Sequence, residues 1–293
     1  MTPDGGSAEP RKTIPISAVV ITRNAAAHLA DVLAAVDFCA ERLVLDSGST
    51  DDTVAIAQRA GARVEHQPFL GYGPQKQRAV DLATHDWILS LDADEVLDTA
   101  ARRSIQVARL ADTDACFALR RRTFIGQREV VHGPWSDDRV LRLFHRRTAS
   151  FKPLPVHEEV SASRPPVLLE GSILHYSYAT SADVLARSLR YAPLKAGIIR
   201  EKGQRVNGLT MPLRGLTAFV KSYLLRGGWR DGAAGFVVAL SRVIDSTLPR
   251  AMVLLDEVPG PADQPPAERK ASSIRSMSAG NGADSISRSP DAG

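Results

Sequence analysis

The chain has 293 residues, of which 44% are hydrophobic and 24% charged, and its formal net charge is +4. This composition is typical of a globular protein and excludes a fibrous or wholly disordered chain. No stretch reaches the ~20 apolar residues of a membrane-spanning helix, and the polar residues 1–13, which we expect to be disordered, lack the apolar segment of a signal peptide. The two cysteines, Cys39 and Cys116, form no CxxC pair. We therefore expect a cytoplasmic protein without a disulfide framework or zinc site.

Strands and helices alternate between residues 14 and 110. Apolar, β-branched segments predict strands, which lie at 14–21, 42–45, 62–66 and from 87 to 91. Helical spacing and helix-start signals predict helices at 25–36, 51–60, from 71 onwards and 97–110. This order predicts an α/β fold, doubly wound around a mostly parallel central sheet. The chain contains neither a GxGxxG nor a GxxxxGK[ST] motif, so it has no Rossmann dinucleotide fingerprint and no P-loop.

Two carboxylates, Asp92 and Asp94, directly follow the apolar segment that begins at Trp87. In open α/β sheets, ligands bind outside the carboxyl ends of the strands. Carboxylate oxygens suit a hard divalent cation such as Mg²⁺ or Mn²⁺, which can in turn hold a diphosphate. An ordinary solvated turn is the alternative, since Asp is common after strands.

The helical period disappears between residues 115 and 160, where short apolar segments alternate with arginines. This pattern predicts strands and loops. A further strand is predicted at 173–178 and contains His175, whose imidazole is either a metal ligand or a satisfied structural histidine. Four carboxylates are candidates for a general base, and they are Asp137, Asp138, Glu158 and Glu159.

Residues 181–230 contain ten lysines and arginines against two acidic residues. Apolar residues at helical spacing within 216–224 and 236–244 predict two amphipathic helices. Their apolar faces either pack as core or lie at an anionic membrane surface, and the sequence leaves both open. We expect no nucleic acid partner, because the basic segment has neither a helix-turn-helix nor stacking aromatic residues. Residues 259–293 are rich in Pro, Ser, Gly and Ala, contain no aromatic residue, and are predicted to be disordered.

Several motifs occur in the order seen in family 2 glycosyltransferases, and the chain resembles that family over residues 14–250. They are Ile21-Thr22-Arg23-Asn24, the segment 45–51, the segment 71–78 and Leu91-Asp92-Ala93-Asp94-Glu95. More narrowly, the chain resembles the bacterial lipopolysaccharide inner-core β-1,4-glucosyltransferase branch. The motifs that fit this branch are Gly133-Pro134-Trp135, Arg142-Leu143-Phe144, Val156-His157-Glu158, His175-Tyr176-Ser177, 219–223 and 229–232.

The resemblance implies a GT-A fold, a nucleotide-sugar donor, a divalent metal (Mg²⁺ or Mn²⁺) and inversion at the anomeric carbon. It implies that Asp46 binds the base of the nucleotide, Asp92 faces the ribose or a metal-bound water, and Asp94 ligates the metal. The remaining site residues are assigned as follows: Thr22, Asn24 and Lys76 to donor binding, His175 to the metal, and Glu158, with Asp138 as its main competitor, to the base. Each also has a structural alternative, such as a turn-capping role for Asp46 or a solvated helix face for Lys76.

We accordingly expect a nucleotide-sugar-binding half at 14–110, an acceptor-side half at 111–180 and a C-terminal helical extension at 181–258. The expected activity is transfer of a hexose, glucose from UDP-glucose first, to a lipid-linked saccharide such as the lipopolysaccharide inner core. The enzyme is expected to lie peripherally on the inner face of the cytoplasmic membrane. The alternatives are a polyprenyl phosphate or peptide acceptor, or a nucleotide-sugar-binding protein without turnover. The sequence identifies neither donor sugar, acceptor nor oligomeric state.

Overall fold

The computed structural model describes residues 13–152 and 160–257 of the chain. The strands are β1 (Ile14–Thr22), β2 (Cys39–Asp46), β3 (Arg63–His66), β4 (Trp87–Asp92), β5 (Glu95–Leu97), β6 (Cys116–Ile125), β7 (Arg128–Val130), β8 (Arg139–His145), β9 (Ala149–Phe151), β10 (Val160–Ala162) and β11 (Val167–Tyr178). The α-helices are α1 (Leu29–Ala35), α2 (Thr53–Arg59), α3 (Tyr72–Leu82), α4 (Thr99–Gln106), α5 (Ser181–Glu201), α6 (Met211–Val220) and α7 (Ala233–Leu254). Residues 1–12 of the N-terminal segment predicted to be disordered (1–13) lie outside the described residues, as do the segment 259–293 and the candidate base Glu158.

A parallel half-sheet of order β3-β2-β1-β4 contains the first four predicted strands. At its carboxyl edge, Thr22 of β1 is in register with Asp46 of β2, and Ile21 with Asp92 of β4. The chain moves outwards from β1 through β2 to β3 and then returns to the other side of β1 as β4. The crevice between β1 and β4 is therefore the point where strand order reverses, which is where α/β sheets bind ligands.

The sheet continues beyond β4 with mixed pairing, in the order β8-β6-β11-β5. Strand β8 is antiparallel to both β4 and β6, whereas β11 is parallel to β6. Strand β5 pairs antiparallel with the far side of β11, although it follows β4 in sequence. The predicted halves 14–110 and 111–180 therefore share one nine-stranded sheet, and their division remains a prediction.

Apolar side chains alternate along β1 and form a core on each face of the sheet. Ile16, Ala18 and Val20 pack with one group of helices, and Val19 packs with the opposite group. Helices α1, α2 and α4 cover the first face, while α3 covers the second. This arrangement follows from the period of two along a strand and the 3.6-residue period of the helices. It confirms the predicted α/β, doubly wound class.

Two predicted helices are shorter in the structure. The predicted helix at 25–36 begins only at Leu29, because the backbone N–H groups of Ala25 and Ala26 donate to side chains at the start of α2 and in the loop before it. The predicted helix at 97–110 is limited to α4, because residues 95–97 form strand β5 instead. Helix α4 begins after Asp98, whose carboxylate accepts from the backbone N–H of Ala101 at 2.8 Å.

The C-terminal helical extension predicted from the sequence consists of α5, α6 and α7, and α5 and α6 both pack on α7. A capping box between Thr180 and Asp183 begins α5. Helix α7 contacts the sheet through Ala234 and Val238, which pack on Val130 of β7. Between α6 and α7 the chain forms a π-helical turn (Lys221–Leu225) and a 3₁₀ turn (Gly228–Asp231). Among the described residues, no helix combines the length and the apolar character needed to cross a membrane.

Candidate active site

Asp46 organises the loop at the carboxyl end of β2. Its Oδ2 accepts from the backbone N–H groups of Gly48 and Ser49, both at 2.9 Å. Its Oδ1 accepts from the hydroxyls of Ser49, at 2.5 Å, and Thr22, at 2.9 Å. Burial alone would raise the pKa of the Asp46 carboxyl, but these hydrogen bonds outweigh it and hold the pKa below its ordinary value. The carboxylate is thus kept ionised at the edge of the sheet.

Asn24 connects the loops that follow β1 and β2. It adopts a left-handed backbone conformation with φ of 52°, which Asn tolerates better than most residues. Its side-chain oxygen accepts from the backbone N–H of Thr50 at 2.8 Å, and its own backbone N–H donates to the Ser49 hydroxyl at 2.8 Å. The structure therefore brings the predicted donor-binding residues Thr22, Asn24 and Asp46 together in one hydrogen-bonded network.

Asp92 lies between two cations at the carboxyl end of β4. Its Oδ1 is 2.5 Å from Nζ of Lys76 in α3, and its Oδ2 is 3.2 Å from Nη2 of Arg142 in β8. Burial alone would raise the pKa of Asp92, but Lys76 and Arg142 lower it far below its ordinary value. Lys76 is only 1% exposed, so the solvated-face alternative does not describe it.

A chain of ion pairs continues from Arg142 across the sheet. Arg142 binds the fully buried Glu95 in a bidentate geometry, at 2.7 and 2.8 Å. Burial alone would raise the pKa of Glu95, but Arg142 outweighs it and lowers the pKa. Glu95 also approaches Nη1 of Arg121 at 3.3 Å, and Nη2 of Arg121 is 2.6 Å from the carboxylate of Asp138. Opposite charges therefore alternate from Lys76 to Asp138 without a break.

Asp138 lines a cavity of about 260 Å³ on the β6–β8 side of the sheet. The cavity also contains the consecutive arginines Arg120, Arg121 and Arg122 together with Trp135. Asp137, another candidate base, is 63% exposed and pairs with Arg139 of its own segment. Among the candidate bases, Glu158 and Glu159 lie outside the described residues.

Strand β5 and strand β11 bring the two predicted metal ligands together. The backbone N–H of Tyr176 donates to the carbonyl of Asp94 at 2.9 Å, which aligns β11 beside the Asp94 turn. Nε2 of His175 is consequently 3.6 Å from Oδ2 of Asp94, and the Ser177 hydroxyl contacts both side chains. Burial raises the pKa of Asp94, outweighing the opposite effect of His175. Burial also lowers the pKa of His175, which favours the neutral imidazole.

This pair fits a divalent metal that is shared with a substrate. A divalent metal binds a deprotonated carboxylate and a neutral imidazole. Burial and the neighbouring Asp92 and Glu95 disfavour the ionised form of Asp94, and a bound cation would stabilise that form. The described residues contain no cluster of three or more candidate ligands. Asp94 and His175 therefore supply two ligands at most in this part of the chain, and phosphate oxygens and waters complete such a shell in many Mg²⁺ and Mn²⁺ sites.

Sequence reasoning missed three residues that connect the site. Arg142, Glu95 and Arg121 link Asp92 to Asp138, yet none was assigned a role from the sequence. No local signal existed for Arg142, because side chains alternate along a strand and an arginine between Leu141 and Leu143 is expected on the opposite, often solvated, face. No local pattern distinguishes Arg121 from its neighbouring arginines, since its partner Asp138 belongs to another strand segment.

Comparison with known proteins places the chain in a family. Residues 17–164 match the family described as glycosyl transferase family 2. The lipopolysaccharide core biosynthesis glycosyltransferase LpsC of Rhizobium meliloti is 29% identical over 248 residues, covering 82% of this chain and 92% of that protein. An uncharacterised glycosyltransferase of Rickettsia felis is 30% identical over 237 residues, covering 76% and 83%.

The matches to solved structures cover a smaller part of the chain than the matches to these two relatives. Glucosyl-3-phosphoglycerate synthase of Mycobacterium tuberculosis is 26% identical with a TM-score of 0.31, and the match covers 39% of this chain and 44% of that one. The chain thus spans less than half of that enzyme's length. The family match and the LpsC relative agree with the motifs found in the sequence, including the resemblance to the lipopolysaccharide core branch. The chain belongs to glycosyl transferase family 2 and has an α/β fold of the GT-A type.

Proposed function

We propose that the protein is an inverting hexosyltransferase that moves glucose from UDP-glucose to a lipid-linked saccharide such as the lipopolysaccharide inner core. The observation that supports this most is the placement of Asp46, Asp92 and Asp94 along the carboxyl edge of the parallel half-sheet, at the point where strand order reverses. The similarity to LpsC supports the class of acceptor. A polyprenyl phosphate or a peptide is the alternative acceptor.

In this proposal the loops after β1 and β2 hold the nucleotide. Asp46 accepts a hydrogen bond from the base, and the network with Thr22 and Asn24 keeps the loop in place. Lys76 and Asp92 border the crevice where the ribose and diphosphate lie, with Lys76 fixed by its ion pair. Because these groups are already ordered by one another, binding the donor costs little further conformational entropy.

Asp94 and His175 would hold the divalent metal. An oxygen and an imidazole nitrogen suit Mn²⁺, and Mg²⁺ is served by the carboxylate with substrate oxygens. When bound, the cation neutralises the charge that develops on the leaving diphosphate. In this proposal the charge-neutralising position lies beside Asp92 at the mouth of the crevice, which the proximity of Asp94 and His175 supports.

Inversion requires a base on the opposite face of the sugar ring to take the proton of the attacking hydroxyl. Glu158 and Asp138 are the two candidates. Asp138 is supported by its position in the arginine-lined cavity, where Arg120 can meet an acidic group of the acceptor while Arg122 is held by Glu129. Glu158 is supported by the sequence motif Val156-His157-Glu158. A protein that only binds nucleotide-sugars has no use for either.

We further propose that the helical extension holds the enzyme peripherally on the inner face of the cytoplasmic membrane. Leucines that could have formed core are exposed in the structure: Leu209 is 91% exposed, Leu213 64%, Leu216 59% and Leu225 78%. They are accompanied by exposed Arg214, Lys221, Arg226 and Arg230. Apolar side chains surrounded by cations are typical of interfacial helices on anionic membranes.

The decisive experiment measures donor hydrolysis and sugar transfer with and without Mn²⁺ in the wild type and in Asp94→Ala. We expect the variant to fold but to lose both transfer and metal-dependent nucleotide binding. Asp52→Ala, which removes an exposed carboxylate with no capping bond, is the matched control and should retain both. Normal metal-dependent activity of folded Asp94→Ala would refute the metal assignment. Donor binding without any turnover by the wild type would favour the non-catalytic alternative.

A further inference from the structure

A second cavity lies in the helical extension, and none of the residues that line it belongs to the sheet-edge site. It has a volume of about 490 Å³ and opens between α5, the π-helical turn after α6, and α7. Pro134, from the 3₁₀ turn Gly133–Trp135, closes one side. The polar and charged residues that line it are Lys195, Lys221, Ser222, Arg226, Arg242, Asp245 and Ser246.

The cavity has an excess of positive charge. Lys195 and Arg242 both pair with Asp245, at 2.6 and 3.3 Å. Within the described part of the chain, the side chains of Lys221 and Arg226 form no ion pair. Lys221 and Arg226 therefore face the cavity without an ion-pair partner among the described residues, and a ligand with negative charge is favoured there.

Ser222 adds a donor that has no partner. Its residue is only 4% exposed, and among the described residues its Oγ forms no hydrogen bond. Helical serines usually satisfy the hydroxyl on a carbonyl of the preceding turn, as Ser241 does with Val238 in α7. A buried hydroxyl left unsatisfied destabilises a protein, so it calls for a ligand that accepts its hydrogen bond.

The local backbone keeps Ser222 in this position. Lys221–Leu225 forms a π-helical turn, a rare conformation that is frequent at functional sites. Gly228 packs so closely that a Cβ there would lie 2.8 Å from the Ser222 carbonyl. A Cβ on Gly235 would in turn lie 1.8 Å from the Gly228 carbonyl. The two glycines thus allow α7 to pack closely against the turn that contains Lys221, Ser222 and Arg226.

We propose that this cavity binds the phosphate of an anionic lipid headgroup. Phosphate oxygens accept from hydroxyl, ammonium and guanidinium groups, and these are the donors that Ser222, Lys221 and Arg226 offer. Leu224 and Leu225, in the same turn, are 53% and 78% exposed and can contact the acyl region beside the headgroup. The inference deepens the proposed membrane placement by naming a lipid site within it.

The first test measures melting temperature against glycerol 1-phosphate and inorganic phosphate at constant ionic strength. Wild type should show a saturable rise with both. Ser222→Ala should keep or raise its melting temperature in chloride, because it removes an unsatisfied hydroxyl, yet bind phosphate about tenfold more weakly. Arg226→Gln should weaken binding at least as much. Arg205→Gln, an exposed cation that does not line the cavity, is the matched control and should bind as wild type does.

The second test measures flotation with phosphatidylglycerol vesicles. Ser222→Ala and Arg226→Gln should float less than Arg205→Gln, and glycerol 1-phosphate should compete. Equal loss in Arg205→Gln, no saturable rise in the wild type, or a Ser222→Ala protein that is destabilised in chloride would overturn the site. Phosphate binding without any vesicle effect of Ser222→Ala would overturn the lipid source. Mn²⁺-dependent donor hydrolysis, which Ser222→Ala should retain, reports separately on the proposed transferase function.

Discussion

Charged side chains are arranged in opposite ways at the carboxyl edge of the parallel half-sheet and in the helical extension. At the sheet edge, opposite charges alternate from Lys76 through Asp92, Arg142 and Glu95, and the last of these is fully buried. In the extension, Lys221 and Arg226 line a cavity without an ion pair in the described residues, beside exposed leucines. The ion pairs from Lys76 to Glu95 are formed within the chain, whereas Lys221 and Arg226 have no ion-pair partner among the described residues.

This difference has an energetic consequence. A buried ion pair contributes little net stability, because desolvation offsets the attraction, but removing one partner leaves an uncompensated charge. Removing a solvated cation from the surface changes the free energy of unfolding little. Its removal is felt only when an anionic partner is bound. Substitutions at the sheet edge should therefore change the stability of the free protein, and substitutions in the extension should change binding instead.

The largest effect is expected for Arg142→Ala. The substitution leaves Glu95 buried without its bidentate partner, so we expect the free energy of unfolding to fall by about 3–5 kcal/mol in urea denaturation. Arg139→Ala in the same strand is the matched control. Its pair with Asp137 is half exposed or more on both sides, and its loss should cost less than about 1 kcal/mol. Equal effects of the two substitutions would contradict the special cost of leaving the buried Glu95 unpaired.

The second prediction concerns the base. We expect Glu158→Gln to retain the donor dissociation constant and to lower kcat by at least ~10²-fold, a typical contribution of general base catalysis. Asp138→Asn is the competing substitution, and it also breaks the end of the ion-pair chain at Arg121. Both constants should be measured for both variants. Normal turnover by Glu158→Gln together with a loss in Asp138→Asn would move the role to Asp138.

The sheet and helices could be predicted where apolar periodicity is local. The strands and helices from β1 to β4 follow from segments of a few residues each, and their order predicts the doubly wound arrangement. Strand β5 could not be predicted, because it depends on pairing with β11 almost eighty positions later. The same long-range pairing brings His175 to Asp94, so no local pattern predicts their proximity, and the chemistry of imidazole alone makes His175 a candidate ligand.

Asp92 can be singled out from the sequence by its place after a strand, whereas the role of Asp46 is assigned through the family resemblance, and both roles stay predictions. Their supporting cations were identified unevenly: Lys76 was named through its motif, while Arg142 and Arg121 were not, because several arginines in 120–147 have similar sequence surroundings. Which of these arginines faces the sheet edge is decided by the register of β8 and β6.

The third prediction uses the hydrogen bonds of Asp46. Its folded-state pKa is lowered, so the stability it contributes is present above the ordinary pKa of about 4 and is lost as pH falls through the folded value. Asp46→Asn should lower the free energy of unfolding by about 2 kcal/mol at neutral pH. The difference from wild type should shrink in urea titrations on acidification below about pH 4. A difference that grows on acidification would contradict the role of the ionised form.

The smallest effect per residue is expected in the extension and concerns membrane affinity. Each cation near an anionic surface contributes about 1 kcal/mol, so Lys221→Glu, Arg226→Glu and Arg230→Glu should each weaken flotation with anionic vesicles severalfold or more. Added salt should weaken binding of the wild type, because these charges are exposed. Stability of the free protein should change little. Arg59→Glu at the end of α2 is the control, since it lies on a helix that covers the sheet.

The exposed leucines make a separate contribution to the same measurement. Leu213→Ser and Leu225→Ser remove apolar side chains that are 64% and 78% exposed, so they should leave unfolding unchanged while reducing binding to anionic vesicles even at high salt. Charge and apolar contact can thus be separated by ionic strength. If neutral and anionic vesicles bind the wild type equally, or if neither binds, the helices of the extension serve only to pack on the catalytic sheet. The two regions would then differ only in how exposed their charged side chains are.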